Sequence, residues 1–418
     1  MNLANIALES PISKIQEDIR TEKITFKRFL SQLSFPHWLL ISYPIIQALL
    51  SRQRSAESAY DVDTSAWLQI IFTGCVGLIM LARYLHALRS FNNLLFHRPI
   101  IWFTLYYLIA ILSSIWSDRP DYTLYRGFEA FIFLIIIVDA MRLSASVGMS
   151  LRLLLTVGLV VAIVGEISVL QYAFSLDSLH NSLVPGAIIP MVFVGWGISK
   201  GLWRWIYYVL IAAVILATSA ASYLSLLVGI GIALLFAKKN KPIAILGLIF
   251  VLVALTLWKI DLEKYIFWGK SDYQIQSATG RVPVWQWVLE EKVQERPLIG
   301  YGFGTGELLA RLYNIQAGRL RMMHMHNVVM SSLTNLGLLG LMLFLMMLKE
   351  LIQGLWTIRR LYVFNLFAAG FGAMLLNSMS ISSFTAFLSL GWICHMLFMM
   401  TLFTTATVIK RSQMNTRF

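Results

Sequence analysis

Three features of this chain combine residue types and spacing suited to chemistry: the His326-Asn327 pair, Arg281 in Thr279-Gly280-Arg281, and the alternating glycines Gly300, Gly302 and Gly304. His326 stands where a polar interval runs into a long apolar stretch. An imidazole at such a lip, with an unperturbed pKa of about 6.5, suits removal of a proton from a hydroxyl at neutral pH. Backbone N–H groups at the same helix start suit a phosphate, while an interfacial histidine bonded only to water fits the position too. His324 makes a His-x-His pair with His326. No cysteine, third histidine or clustered carboxylate joins it at ligand spacing, so no metal is expected. The glycines sit in Arg296-Pro297-Leu298-Ile299-Gly300-Tyr301-Gly302-Phe303-Gly304-Thr305, where positions without side chains let a backbone bend tightly and approach a ligand. No βαβ unit surrounds them, which excludes a dinucleotide fingerprint. A flexible re-entrant turn accounts for the spacing as well.

The elements that must position these residues are membrane helices. The chain is 58% hydrophobic and 13% charged, with a mean hydropathy of +0.71, whereas soluble domains carry about 25% charged residues. Long apolar runs, in place of short alternating segments, exclude a β-barrel and predict an all-α polytopic fold. Runs at 36–51, 66–83, 100–117, 124–141, 151–174, 183–199, 203–219, 222–237, 242–260, 326–348, 360–379 and 385–409 predict twelve spans. Pro185 and Pro190 predict a kink in the sixth.

The net charge of +13 reads as orientation by the positive-inside rule, not as nucleic-acid binding. Arg89, Arg98, Arg142, Arg152, Lys200, Arg204, Lys238, Lys239, Lys241, Lys349, Arg359 and Arg360 all fall in alternate loops, and Lys410, Arg411 and Arg417 follow the last span. Both termini are then cytoplasmic and the interval 261–325 lies on the outer face. The expected organisation is a cytoplasmic or interfacial segment 1–34, helices over 35–260, a large outer loop 261–325, helices over 326–409 and a tail 410–418. Residues 1–34 lack the apolar core of a cleavable signal, and Cys75 and Cys394 sit in apolar runs, so no disulfide framework is expected.

Two ionisable groups fall inside apolar runs, where they are costly. Asp139 has Arg142 three positions on, which suggests an ion pair near the inner interface. Glu166 suits either a hydrogen bond in the bundle or substrate contact.

Taken together, Thr279-Gly280-Arg281 with Trp285, the run Arg296 to Thr305, and His326-Asn327 followed by Gly337 and Gly340-Leu341 resemble the O-antigen ligase and O-antigen polymerase superfamily of membrane glycosyltransferases. Trp116-Ser117-Asp118-Arg119-Pro120 with Thr123 and Arg126 resembles the short outer loop and helix start of its exopolysaccharide polymerases. These motifs cover about a third of the chain. The resemblance implies a GT-C-like fold in the bacterial inner membrane, facing the periplasm. The implied activity is metal-independent transfer of a glycan from undecaprenyl diphosphate to an acceptor hydroxyl, with no cofactor. It also implies that Arg281 neutralises the leaving diphosphate and that His326 is the base, with Asn327 orienting it or capping the helix.

Other outer-loop residues are expected around the substrate. Arg126, Arg319 and Arg321 are the candidates to replace an arginine that many relatives carry near Ser222 and this chain lacks. Trp285, Trp287, Trp268, Tyr301 and Tyr313 suit either sugar stacking or an interfacial belt, Arg311 an approach for anionic lipid, and Glu307 is the carboxylate candidate among solvated Glu290, Glu291 and Glu295. Expected partners are the lipid-linked donor, a glycan or lipid A core acceptor, the bilayer and other polysaccharide-assembly membrane proteins. A polymerase is favoured over a ligase. A transporter is the reading from another class, opposed by the lack of internal duplication and the gathering of motifs in one loop.

Overall fold

The structure, a computed structural model, describes residues 26–50, 64–87, 89, 95, 98–144, 146–172, 184–198, 201–216, 220–236, 281–316, 325–361, 363–379 and 389–415. Regular structure among the described residues is helical, as lipid requires of chains that cannot offer backbone groups to water. In order come α1 (Phe26–Ser31), α2 (Phe35–Leu50), α3 (Thr64–His86), α4 (Ile101–Leu112), α5 (Pro120–Leu143), α6 (Val147–Tyr172), α7 (Val184–Ile198), α8 (Leu202–Leu216) and α9 (Ala220–Leu235). The remainder holds α10 (Arg281–Trp287), α11 (Val293–Glu295), α12 (Gly306–Gln316), α13 (Val328–Thr357), α14 (Phe364–Ser378) and α15 (Leu390–Asn415). A 3-10 turn, Ser113–Ile115, extends α4, and a π turn, Val288–Lys292, joins α10 to α11.

Every expected apolar run on described residues coincides with a helix, while the run at 242–260 lies outside them. Within the described residues four helical stretches are long and apolar enough to cross a membrane: Thr64–His86, Val147–Gly165, Val328–Thr357 and Leu390–Lys410. Shorter apolar helices accompany them at Ile101–Ile115, Gly186–Gly197, Leu202–Val214, Ala221–Leu235 and Phe364–Ser378. The chain is a membrane protein.

The common core is built from α5, α6, α7 and α15. Phe133, Leu154, Ile189, Trp392 and Phe398 are fully buried in one cluster that also takes in Phe303 from the long interval. Pro190 stands inside α7. In the described part of the N-terminal segment, Phe29 is buried with its ring 5.2 Å from that of Trp203, so this part packs on the bundle.

Asp139 lies at one end of the bundle, fully buried between two guanidiniums. Arg142 reaches its Oδ1 at 2.7 Å and Arg83 reaches its Oδ2 at 2.8 Å. The expected pair is therefore a triad with a partner from α3. The side chain of Glu166 lies outside the described residues.

At the other end α13 departs from a simple span. Its 30 residues would measure about 45 Å if straight, against roughly 30 Å of hydrocarbon. It is instead broken at Gly337, whose φ of 63° and ψ of −153° are not helical. The span expected at 326–348 is thus a two-part helix over Val328–Thr357. The long interval is not a plain loop either, since 281–316 is largely helical and much of it is buried.

Candidate active site

A break inside a helix frees backbone groups on both sides, and in lipid or a buried site these need partners. Here the Arg296–Thr305 run supplies them. Tyr301 N–H donates to the Thr334 carbonyl at 2.8 Å and Gly302 N–H to that of Asn335 at 2.9 Å, while Leu338 N–H donates to Pro297 O at 2.8 Å and Leu339 N–H to Leu298 O at 3.2 Å. Only glycine permits this approach. Gly300, Gly302 and Gly304 all have positive φ, at 64°, 101° and 83°. A Cβ on Gly300 would lie 2.7 Å from Gly337 N, and one on Gly302 would lie 2.5 Å from Ser117 Oγ. The close approach made by these glycines is to the Gly337 break, to the turn at Ser117 and to Tyr122 of α5.

The Trp116–Arg126 element packs on the same run. Trp116 Nε1–H donates to Ile299 O at 3.1 Å, Thr123 Oγ1 donates to Phe303 O at 3.0 Å, and Phe303 N–H donates to Ser113 Oγ at 2.9 Å. Arg296 closes the contact, with Nη2 2.9 Å from Asp118 Oδ1, Nη1 donating to Trp116 O at 3.3 Å and the guanidinium 4.8 Å above the Tyr301 ring. Asn335 adds a side-chain contact, its Oδ1 accepting from Gly306 N–H at 2.9 Å where α12 begins. Three motifs far apart in sequence are therefore one packed unit.

The fourth motif joins through α10. Trp285 Nε1–H donates to the Met325 carbonyl at 2.8 Å, and Val284, Val288, Tyr301, Leu309 and Met325 form a small apolar core beneath it. Arg281 opens α10 one turn before Trp285, and His326 follows Met325, so the two lie on either side of this bond. The Arg281 guanidinium is partly buried, and burial pulls its pKa below the ordinary value. A partly desolvated cation attracts an anion more strongly than a solvated one.

His326 adopts a φ of 47°, a left-handed conformation that residues other than glycine seldom take. Backbone strain of this kind costs about 1–3 kcal/mol and gathers at functional positions. Asn327 caps α13, its Oδ1 accepting from Val329 N–H at 2.9 Å and Met330 N–H at 3.1 Å. Of the two roles expected for Asn327, capping is the one seen. It also means that this helix start does not offer the open row of N–H groups expected for a phosphate.

Arg126 lies beside Gly304, but its Nη1 is 2.9 Å from Glu129 Oε2 and its guanidinium stacks over Tyr122 and Tyr125 at 5.3 and 5.4 Å. Its charge is thus shared with Glu129, a partner the sequence reading did not single out. Several aromatics of the long polar interval are occupied in the same way. Trp287 and Tyr313 have ring centroids 5.3 Å apart, and Tyr301 OH donates to Glu295 Oε2 with Lys292 O 3.0 Å away as a second acceptor in reach. Arg319, Arg321, His324, Trp268, Thr279, Gly280 and the Glu307 side chain lie outside the described residues. Ser113 and Asn335 were missed as site-building residues, although a Thr-Asn pair just before Gly337 was a readable sign of an interrupted helix.

A comparison with curated proteins finds no match. A family model described as O-antigen ligase matches residues 205–345, from within α8 to within α13. That segment holds Arg281, the Arg296–Thr305 run, His326 and Gly337, while Ser113 and the Trp116–Arg126 element of the unit above lie outside it. Over these residues, about a third of the chain, the protein is similar to the O-antigen ligase family.

Proposed function

We propose that the chain is a polysaccharide polymerase that moves a glycan from undecaprenyl diphosphate to an acceptor hydroxyl on the periplasmic face of the bacterial inner membrane. The observation that supports this most is the Trp285–Met325 bond, which brings the Arg281 helix to the His326 turn. In this reading Arg281 stands by the leaving diphosphate and His326 by the acceptor. The acceptor oxygen attacks the anomeric carbon as the carbon–oxygen bond to diphosphate breaks. The diphosphate leaves with the bonding electrons and the hydroxyl proton passes to the imidazole. Arg126 and Glu129 border the donor side, and Arg319, Arg321 and Glu307 remain candidates for the substrate approach.

A ligase that transfers the glycan to lipid A core is a second reading, favoured by the description of the matched family. Purified protein in lipid, given host undecaprenyl-diphosphate oligosaccharide with and without lipid A core, separates the two. A ladder formed without lipid A core and lost in His326→Ala and Arg281→Ala is expected for the polymerase. Transfer only onto lipid A core identifies the ligase. No transfer by folded protein with any host donor overturns both and favours transport.

A further inference from the structure

Away from that site, α3 stands off α4 and α5 and leaves an apolar groove of about 570 Å³. Its walls include Gly74, Gly77 and Tyr84 of α3 and Phe128, Ile132 and Ile135 of α5. The two glycines make the room. A Cβ on Gly74 would meet nothing within 4 Å, whereas one on Gly77 would touch Ile132 Cδ1 at 2.7 Å. In shape and lining the groove suits a single fatty acyl chain.

One end of the groove is strongly basic. On α5, Asp139 and Arg142 follow Ile135 by one and two turns. On α3, Arg83 adjoins Tyr84, and both arginines bind Asp139, at 2.8 and 2.7 Å. His86 ends α3 and Arg89 follows it, both exposed, and further along lies Arg98, whose side chain is 73% exposed and stands 3.8 Å from Glu350 Oε1. The same segment contributes Leu95 to the groove wall, and Leu95 is not a free tip: its carbonyl accepts from Thr104 Oγ1 at 2.9 Å. Two arginines on one carboxylate at the end of an acyl-sized groove, with exposed Arg89 and Arg98 on the segment that also supplies Leu95, leave an excess of positive charge that suits an anion attached to a hydrocarbon chain.

We infer that this groove binds an anionic glycerophospholipid, with an acyl chain between α3 and α5 and the phosphate at the Arg83–Arg142 end. In the orientation proposed above this end faces the cytoplasmic leaflet. The inference does not rest on the transferase reading, because its test measures no transfer.

The test is thermal unfolding of the detergent-purified full chain, titrated with phosphatidylglycerol, phosphatidylcholine or undecaprenyl phosphate. Saturable stabilisation by phosphatidylglycerol alone is expected. Gly74→Leu puts a side chain at a groove position whose Cβ meets nothing within 4 Å, and should abolish that increment while leaving the lipid-free midpoint in place. Arg89→Glu, at an exposed position, should weaken the apparent affinity about tenfold or more. Stabilisation by phosphatidylcholine to the same degree overturns the proposal, as does an unchanged increment in Gly74→Leu. Displacement of phosphatidylglycerol by undecaprenyl phosphate also overturns it, and assigns the groove to the donor's chain.

Discussion

The indole N–H of Trp285 donates to the carbonyl of Met325 at 2.8 Å, and this one bond ties the helix that begins at Arg281 to the turn that presents His326. Trp285→Phe keeps most of the packing and removes the donor. The expected loss of stability is about 1 kcal/mol. If Arg281 and His326 act on one substrate, the transfer rate should fall about tenfold or more, since small misplacements of reacting groups are costly. Measuring both the unfolding midpoint and the rate on this variant separates the two effects.

Gly337 should tolerate no side chain. Its φ of 63° and ψ of −153° belong to glycine, and a Cβ would lie 2.4 Å from the Leu298 carbonyl carbon. Gly337→Ala is expected to cost about 3 kcal/mol or more, from backbone strain and the displaced loop together. Gly354→Ala in the same helix is the control, because its Cβ would meet Phe403 Cδ1 at an ordinary 3.4 Å. Equal thermal midpoints for the two variants would count against the broken helix.

Asn327→Ala removes the cap that holds the Val329 and Met330 N–H groups. A loss of about 1 kcal/mol is expected, and Asn327→Ser should restore most of it, because serine also accepts from a helix start. Thermal unfolding of the pair checks this. An Asn327→Ser variant with recovered stability but impaired transfer would show a further role for the amide.

Arg296→Lys should loosen the contact between the Trp116 turn and the glycine run. A single ammonium cannot reach Asp118, the Trp116 carbonyl and the Tyr301 face at once. A double-mutant cycle with Asp118→Asn should nonetheless return less than about 1 kcal/mol for the ion pair itself, since both side chains are well exposed. A larger coupling would place the pair in a drier setting than the structure shows.

Glu295 gives a pH dependence of known sign. Hydrogen bonds from Lys292 and then from Tyr301 hold its carboxyl below the ordinary value of 4.5. The stabilisation is present above that value and is lost as pH falls through the lower folded value, so the acid side of the stability profile carries it. Glu295→Gln should make that limb shallower without moving the midpoint's dependence above about pH 6. A profile unchanged on the acid side would show that the carboxylate is not held in solution.

The sequence by itself determined the class of the protein and the order of its helices. Long apolar runs such as 151–174 and 385–409 have no other way to satisfy their backbone in lipid, so α6 and α15 follow from composition alone. It also marked the motifs, because Gly300, Gly302, Gly304 and Gly337 are residue types whose presence in ordered turns has few uses. What the glycines face was decided only by tertiary structure. Alternating glycines predict a backbone that comes close to something, and the packing shows that the something is the Gly337 break and Ser117. The long polar interval likewise read as a loop, because its apolar residues are too sparse to span. Folded, it buries Phe303 and Tyr301 between helices, since the freed N–H and C=O groups of α13 need partners that only a distant segment can bring. The Arg83–Asp139–Arg142 triad and the groove beside it depend on how α3 sits against α5, a relation set by non-local packing and invisible to any window along the chain.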